Sequence, residues 1–222
     1  MSQRRNRQSN TEVDISALED AIKECVRYII CREGSKIPIK RGEVSKHLAA
    51  TCHTTPNQVK TVLIEADKIL KRVYGYKLVQ VDSQSGVPYI VVLTEECESL
   101  PSPVTDVQHR TILIAALMHI FMTGAPIKED DMWKFLTEAG LMENENDQTV
   151  RKLLTHTFTR QMYLEYTKEG EDDLARHVFQ WGARAVEEVP KPFLLGKMAE
   201  AFQKEPEYWG EQYKNAHQDT EV

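Results

Sequence analysis

The sequence is poor in the features that mark secreted, membrane-spanning or metal-built proteins. Its 222 residues hold four cysteines (Cys25, Cys31, Cys52 and Cys97). None lies in CxxC spacing, so they read as the reduced thiols of an intracellular chain. No apolar run approaches the roughly 18–20 residues that a membrane span needs. The opening MSQRRNRQSN is basic but leads into no apolar core, so no secretory signal is expected. Positive charge is in deficit, 28 Lys+Arg against 34 Asp+Glu for a formal net charge of -6, which argues against indiscriminate nucleic-acid binding. Catalytic signatures are missing as well: there is no GxxxxGK[ST], no GxGxxG after a strand, no HExxH and no GxSxG. The consecutive acids Glu171, Asp172 and Asp173 read as a solvated turn. His47, Cys52 and His53 lack the second ligand cluster a zinc site requires, and His119 sits in an apolar helix pattern typical of a packed residue. No enzyme, no metal and no cofactor are expected.

What is present is an uneven distribution of charge. Residues 23–77 carry twelve basic and five acidic side chains, a net of +7, whereas residues 104–222 carry 13 basic and 21 acidic ones, a net of -8. Opposite signs suggest two modules that meet different partners or each other. Between them TEECESLPSPVTD (94–106) contains Pro101 and Pro103 and little apolar content, which reads as a linker. A disordered basic tail is expected over 1–13, a first module over 14–93, a second over 107–217, and a disordered end over 218–222.

Periodicity supplies the elements. Ile15, Leu18, Ile22, Cys25, Val26, Ile29 and Ile30 predict an amphipathic helix, closed at Gly34 by a left-handed residue. The extended segment Ile37-Pro38-Ile39 and a short helix RGEVSKHLAATC follow. Thr55-Pro56 is read as N-cap and first position of a longer helix ending at Gly75, and YKLVQVD-SQSG-VPYIVVL as a β-hairpin. This order is that of a winged helix, and it recurs. His109–Phe121, the segment at Ile127, Glu129–Ala139, Asp147–Met162 and the strands YLEYTKEG and HVFQWG repeat it. Helices near Phe193–Gln203 and Glu207–Ala216 then form a tail. The expected fold is mainly α with small β-hairpins (α+β): tandem winged-helix modules with a C-terminal helical tail.

With chemistry excluded, binding remains. For DNA the third helices offer Asn57, Gln58, Lys60, Lys68, Lys71 and Arg72 in the first module and Arg151, Lys152 and Arg160 in the second. The acidic loop EDDLAR opposes approach to a duplex, and for any single cation a solvated helix face is the plainer reading. For protein docking, Ile29 and Ile30 are adjacent and point about 100° apart on a helix. One can therefore enter the core while its neighbour reaches the surface, although a broad buried stripe holding both is the plainer reading of the pattern. The segment TILIAALMHIFM is apolar nearly all round, either a central core helix or one whose second face forms a groove for a partner's helix.

Five stretches, VRYIICREGSKIPIKRGEV, VYGYKLVQVD, ILIAALMHIFMTGAPIKEDDMWKFLTEAGL, RKLLTHTFTRQMYLEY and FQWGARA, resemble the MAGE homology domain in order and spacing, over about residues 20–216. The resemblance implies tandem winged helices and a non-catalytic role. MAGE domains bind RING-type E3 ubiquitin ligases and enhance them, and the ancestral-type member joins a RING subunit to a kleisin subunit in the Smc five–six complex for chromosome maintenance and DNA repair. By resemblance, the family's RING-binding dileucine falls on Ile29 and Ile30. The kleisin-binding groove falls around Leu113, Leu117, Phe121, Trp133 and Phe135, and the DNA-binding candidates are Arg151, Lys152 and Arg160. A nuclear location is implied, with the cytoplasm left open, as is weak non-specific contact with DNA. The rival expectation is a winged-helix DNA-binding transcriptional regulator.

Overall fold

Leu18, Ala21, Ile22, Cys25, Val26 and Ile29 recur at helical spacing, and all are buried on one face of the first helix, which therefore needs a partner surface to cover it. In the computed structural model, which describes residues 18–82, 87–95, 106–124, 126–170 and 176–218, that partner is a pair of helices. Helix α1 (Glu19–Glu33) packs on α2 (Arg41–Cys52) and α3 (Val59–Ile69). Strands β1 (Tyr76–Gln80) and β2 (Tyr89–Leu93) form an antiparallel hairpin with Leu78 opposite Val91. Ile39 bridges to Tyr89 by reciprocal backbone hydrogen bonds of 2.8 and 2.9 Å, so the short extended segment becomes a third lane of the wing.

The second half repeats this arrangement. Helix α4 (Val107–Thr123), strand β3 (Ile127–Lys128), α5 (Glu129–Glu138) and α6 (Gln148–Lys152) lead to β4 (Leu164–Glu169) and β5 (Arg176–Trp181). The sheet order is β3-β5-β4, wholly antiparallel, with Ile127 opposite Phe179 and Leu164 opposite Trp181. Asp106 and Asp147 cap α4 and α6 by accepting two backbone N–H bonds each, which satisfies donors a helix start leaves unpaired. Each third helix runs into a π-helical turn, Leu70–Tyr74 and Leu153–Phe158. A residue of positive φ then turns the chain into the wing, Gly75 (68°) in one module and Met162 (64°) in the other. This shared punctuation marks the two halves as copies of one plan. Helices α7 (Ala183–Glu188), α8 (Lys191–Phe202) and α9 (Gly210–Gln218) complete the chain.

Two separate apolar cores result. One gathers Ile22, Cys25, Ile29, Val44, Leu48, Val62 and Leu70; the other is built on Leu113, Leu117, Met132, Trp133, Leu154, Phe179 and Leu194. They meet along a seam where α7 lies against β2.

Three local expectations change. Gly34 closes α1 in a right-handed conformation (φ -58°), and the left-handed residue is Lys36 (φ 58°). The third helix starts at Val59 rather than at Pro56, because Gln58 Oε1 accepts from the backbone N–H and hydroxyl of Thr55 and holds a separate turn ahead of it. Helix α7 was absent from the expected elements. The basic tail and module start before residue 18, the hairpin tip at 83–86, linker residues 96–105, the acidic loop at 171–175 and the end at 219–222 lie outside the described residues.

Candidate docking surfaces

On the first module the neighbours Ile29 and Ile30 divide, as a 100° step allows, rather than sharing the broad buried stripe that was the plainer expectation. Ile29 is 1% exposed in the core, while Ile30 is half-buried at its edge. Ile30 lines a cavity of about 290 Å³ with Val26, Ile69, Tyr74 and the stems of Lys23 and Arg27. A second cavity of about 450 Å³, floored by Ile22 and Ile69 and edged by Glu19, Lys23, Glu65, Lys68 and Arg72, adjoins it. Together they make an apolar furrow along α1 and the end of α3 whose charged rim holds more cations than carboxylates. Tyr74 and Val73 stand exposed at its end. Ile29 is a core residue that fixes the helix presenting Ile30.

The furrow's rim is held by ion pairs. Arg27 grips Glu24 through Nε and Nη2 at 2.8 and 2.6 Å, and His47 Nε2 approaches the same carboxylate at 2.6 Å. The hydrogen bonds from Arg27, then that from His47, hold the Glu24 carboxyl down at about 2. Lys23 pairs with Glu19 and Lys68 with Glu65, both at 2.7 Å. Behind them Cys25 is buried, and burial pushes its thiol up to about 12, so it is an unreactive core residue.

On the second module the expected groove residues do not lie together at the surface. Leu113 and Leu117 are 0% exposed and Trp133 2%, because α4 is apolar all round and is covered by α5 and β5. These three are core residues. Phe121 is also buried, yet its edge reaches the floor of a cleft of about 300 Å³ lined by Pro126, Trp181, Val186 and Lys191. Trp181 is fixed there by its Nε1 donating to Leu117 O at 2.9 Å, and Lys191 Nζ lies 5.8 Å from its ring centroid. Phe135 is elsewhere, half-buried and stacked flat on His119 at 4.0 Å. Burial lowers the His119 pKa, which favours the neutral ring. Trp181, Val186 and Lys191, which line this cleft, were not among the candidates from the sequence. The available signal was an aromatic at the end of a strand followed by Gly182, inside the stretch FQWGARA.

The DNA candidates separate too. Lys152 and Arg160 are exposed. Arg151 instead lies over the Trp133 ring with its guanidinium carbon 4.9 Å from the centroid, and its Nε is buried without a hydrogen-bond partner. Arg151 is thus half-buried and packed, unlike the exposed Lys152 and Arg160. Among the described residues no group of three or more His, Cys, Asp or Glu is placed to hold a metal ion, and no helix is long and apolar enough to cross a membrane.

Two winged-helix units in tandem, each with a partly apolar hollow at its surface, define the class of fold. The family model "MAGE homology domain" matches residues 25–88 and 89–192, and the chain belongs to the MAGE family. It is 32% identical over 213 residues to the human "non-structural maintenance of chromosomes element 3 homolog", covering 92% of this chain and 68% of that protein. The mouse protein of the same name is 31% identical and covered to 74%. Among solved structures, a chain of an "Nse1-Nse3-Nse4 complex" superposes with a TM-score of 0.76 at 27% identity, over 91% of this chain and 98% of that one.

Proposed function

We propose that this chain is a non-catalytic scaffold subunit of the Smc five–six chromosome maintenance and DNA repair complex, and that it joins a RING-type E3 ubiquitin ligase subunit to a kleisin-like subunit. The observation that carries the reading is the match, over nearly the whole of both chains, to a subunit of the Nse1-Nse3-Nse4 assembly. The RING subunit docks on the first-module furrow, where Ile30 supplies the apolar anchor and Lys23, Arg27, Lys68 and Arg72 steer an acidic partner face. The kleisin segment enters the second-module cleft between Phe121, Trp181 and Val186. The RING subunit brings its own zinc and recruits the conjugating enzyme; this chain holds and positions it. The assembly works in the nucleus and touches DNA weakly through exposed cations such as Lys152 and Arg160.

Co-expression with the two partner subunits tests this reading. A stable ternary species on gel filtration, with faster ubiquitin ligation than the RING subunit achieves alone, is the expected result. Sequence-specific duplex binding by the isolated chain at about 150 mM salt, without either partner, would favour the transcriptional regulator instead.

A further inference from the structure

The seam between the modules contains four ionic side chains with almost no access to water. Lys36 and Glu33 come from the end of the first module's α1 region, and Arg184 and Glu188 from α7 of the second. The side chains of Lys36, Arg184 and Glu188 are each 1–2% exposed and that of Glu33 10%. Two positive and two negative groups balance, as burial of charge requires. Lys36 Nζ lies 2.5 Å from Glu33 and 3.2 Å from Glu188, and Arg184 Nη1 lies 3.0 Å from the same Glu188 oxygen. The other Glu188 oxygen accepts from the Tyr163 hydroxyl at 2.5 Å.

Arg184 does more than pair. Its Nε donates to Gln161 O at 2.8 Å, within the second module. Its Nη1 donates to Val91 O at 2.7 Å and its Nη2 to Lys36 O at 2.9 Å, both in the first module. One rigid, planar guanidinium thus reads the position of two first-module carbonyls against the second module's own backbone, a task a lysine's single ammonium cannot perform. Lys36 meets it from a left-handed backbone (φ 58°), a conformation uncommon for a residue with a side chain. The rim adds Gln161 Nε2 to Ser35 O at 3.2 Å and Lys77 to Glu187 at 3.1 Å.

We infer that this buried cluster is an orientational lock: it holds the two winged-helix modules in one relative position, so that both docking faces are presented as a single rigid body. Surface ion pairs are too weak to impose an orientation. A buried set in which both Glu188 oxygens are partnered penalises alternative arrangements, because a rotation that separates the partners leaves buried charge unpaired. The same short helix α7 carries Val186 into the second-module cleft, so the wall of one docking face and the lock are a single element. The lock stands on the seam alone; only its use in a scaffold rests on the proposed function.

Spin labels placed through non-canonical amino acids at exposed Lys60 and Glu145 of the full chain, read by double electron–electron resonance, test the lock without any partner. Wild type is expected to give one narrow inter-label distance, unchanged in 1 M NaCl. Arg184→Lys and Glu188→Gln are each expected to at least double the width of the distribution while helical circular dichroism is retained. Lys77→Ala, at the half-exposed rim, is expected to leave the width unchanged. A broad wild-type distribution, or a folded Arg184→Lys variant as narrow as wild type, would overturn the inference. So would loss of the module folds in both lock variants, which would assign the cluster to folding rather than orientation.

Discussion

Ile29 and Ile30 are neighbours in sequence with opposite surroundings: the first is sealed in the core of the first module, and the second forms part of the wall of a furrow open to solvent. Ile29→Ala removes buried methylenes from a packed site and is expected to cost about 2–5 kcal/mol of folding stability. Ile30→Ala should cost clearly less, because its site is partly wet. Urea denaturation of the two variants checks the difference, and equal losses would remove the distinction.

Gly182 is a second position with a defined outcome. A Cβ built there lies 2.3 Å from the carbonyl oxygen of Met162, a backbone atom that cannot swing aside. Its own φ of -84° is open to any residue, so the effect of Gly182→Ala is purely steric. Overpacking of this kind costs about 1–3 kcal/mol, to be read as a shifted denaturation midpoint at unchanged slope.

The pattern of the chain made the element order legible, since apolar spacing of three and four marked the helices and alternation marked the wings. Gly75 as a stop was readable because its physics is local. The seam was not readable. Lys36, Glu33, Arg184 and Glu188 are ordinary surface residues by type, and only tertiary placement across 148 to 152 positions of sequence turns them into buried partners. The burial of Leu113, Leu117 and Trp133 was not readable for a related reason: in an all-apolar helix such as α4, periodicity cannot say which residues are covered from both sides. Trp181, at the second-module cleft, sits at a strand end where no periodic signal applies.

Asp147 accepts from Thr149 N at 2.9 Å and Val150 N at 3.2 Å. Asp147→Ala is expected to cost about 0.5–2 kcal/mol and to raise amide exchange in α6 and the following π-turn. Unchanged exchange at Thr149 and Val150 would show the cap to be dispensable.

Acid should weaken the rim of the furrow at a defined pH. The Glu24 carboxyl is held at about 2, below its ordinary 4.5, by hydrogen bonds from Arg27 and His47. A depressed carboxyl contributes stability that is complete above 4.5 and is lost as pH falls toward 2. The melting temperature of Glu24→Gln should therefore lie below that of wild type at neutral pH and converge with it toward pH 2. A difference that stays constant across that window would contradict the assignment.

DNA contact by exposed cations has a distinctive salt signature. Replacing Lys152 and Arg160 by alanine should lower the affinity of the assembled complex for duplex DNA of any sequence. Each lost phosphate contact should also make the slope of log K against log salt shallower by about 1. Arg151→Ala should act instead through stability, because that guanidinium packs on Trp133. Fluorescence anisotropy over a salt series, with melting curves in parallel, separates the two effects.

The scaffold account is tested most directly by titrating a purified RING partner subunit against the wild-type full chain and its Ile30→Ala variant by calorimetry. An interface anchor of this kind contributes about 2 kcal/mol, or about thirtyfold in Kd. The account predicts a loss of that order from a variant whose circular dichroism remains that of wild type. Undiminished affinity in a folded Ile30→Ala variant would contradict it.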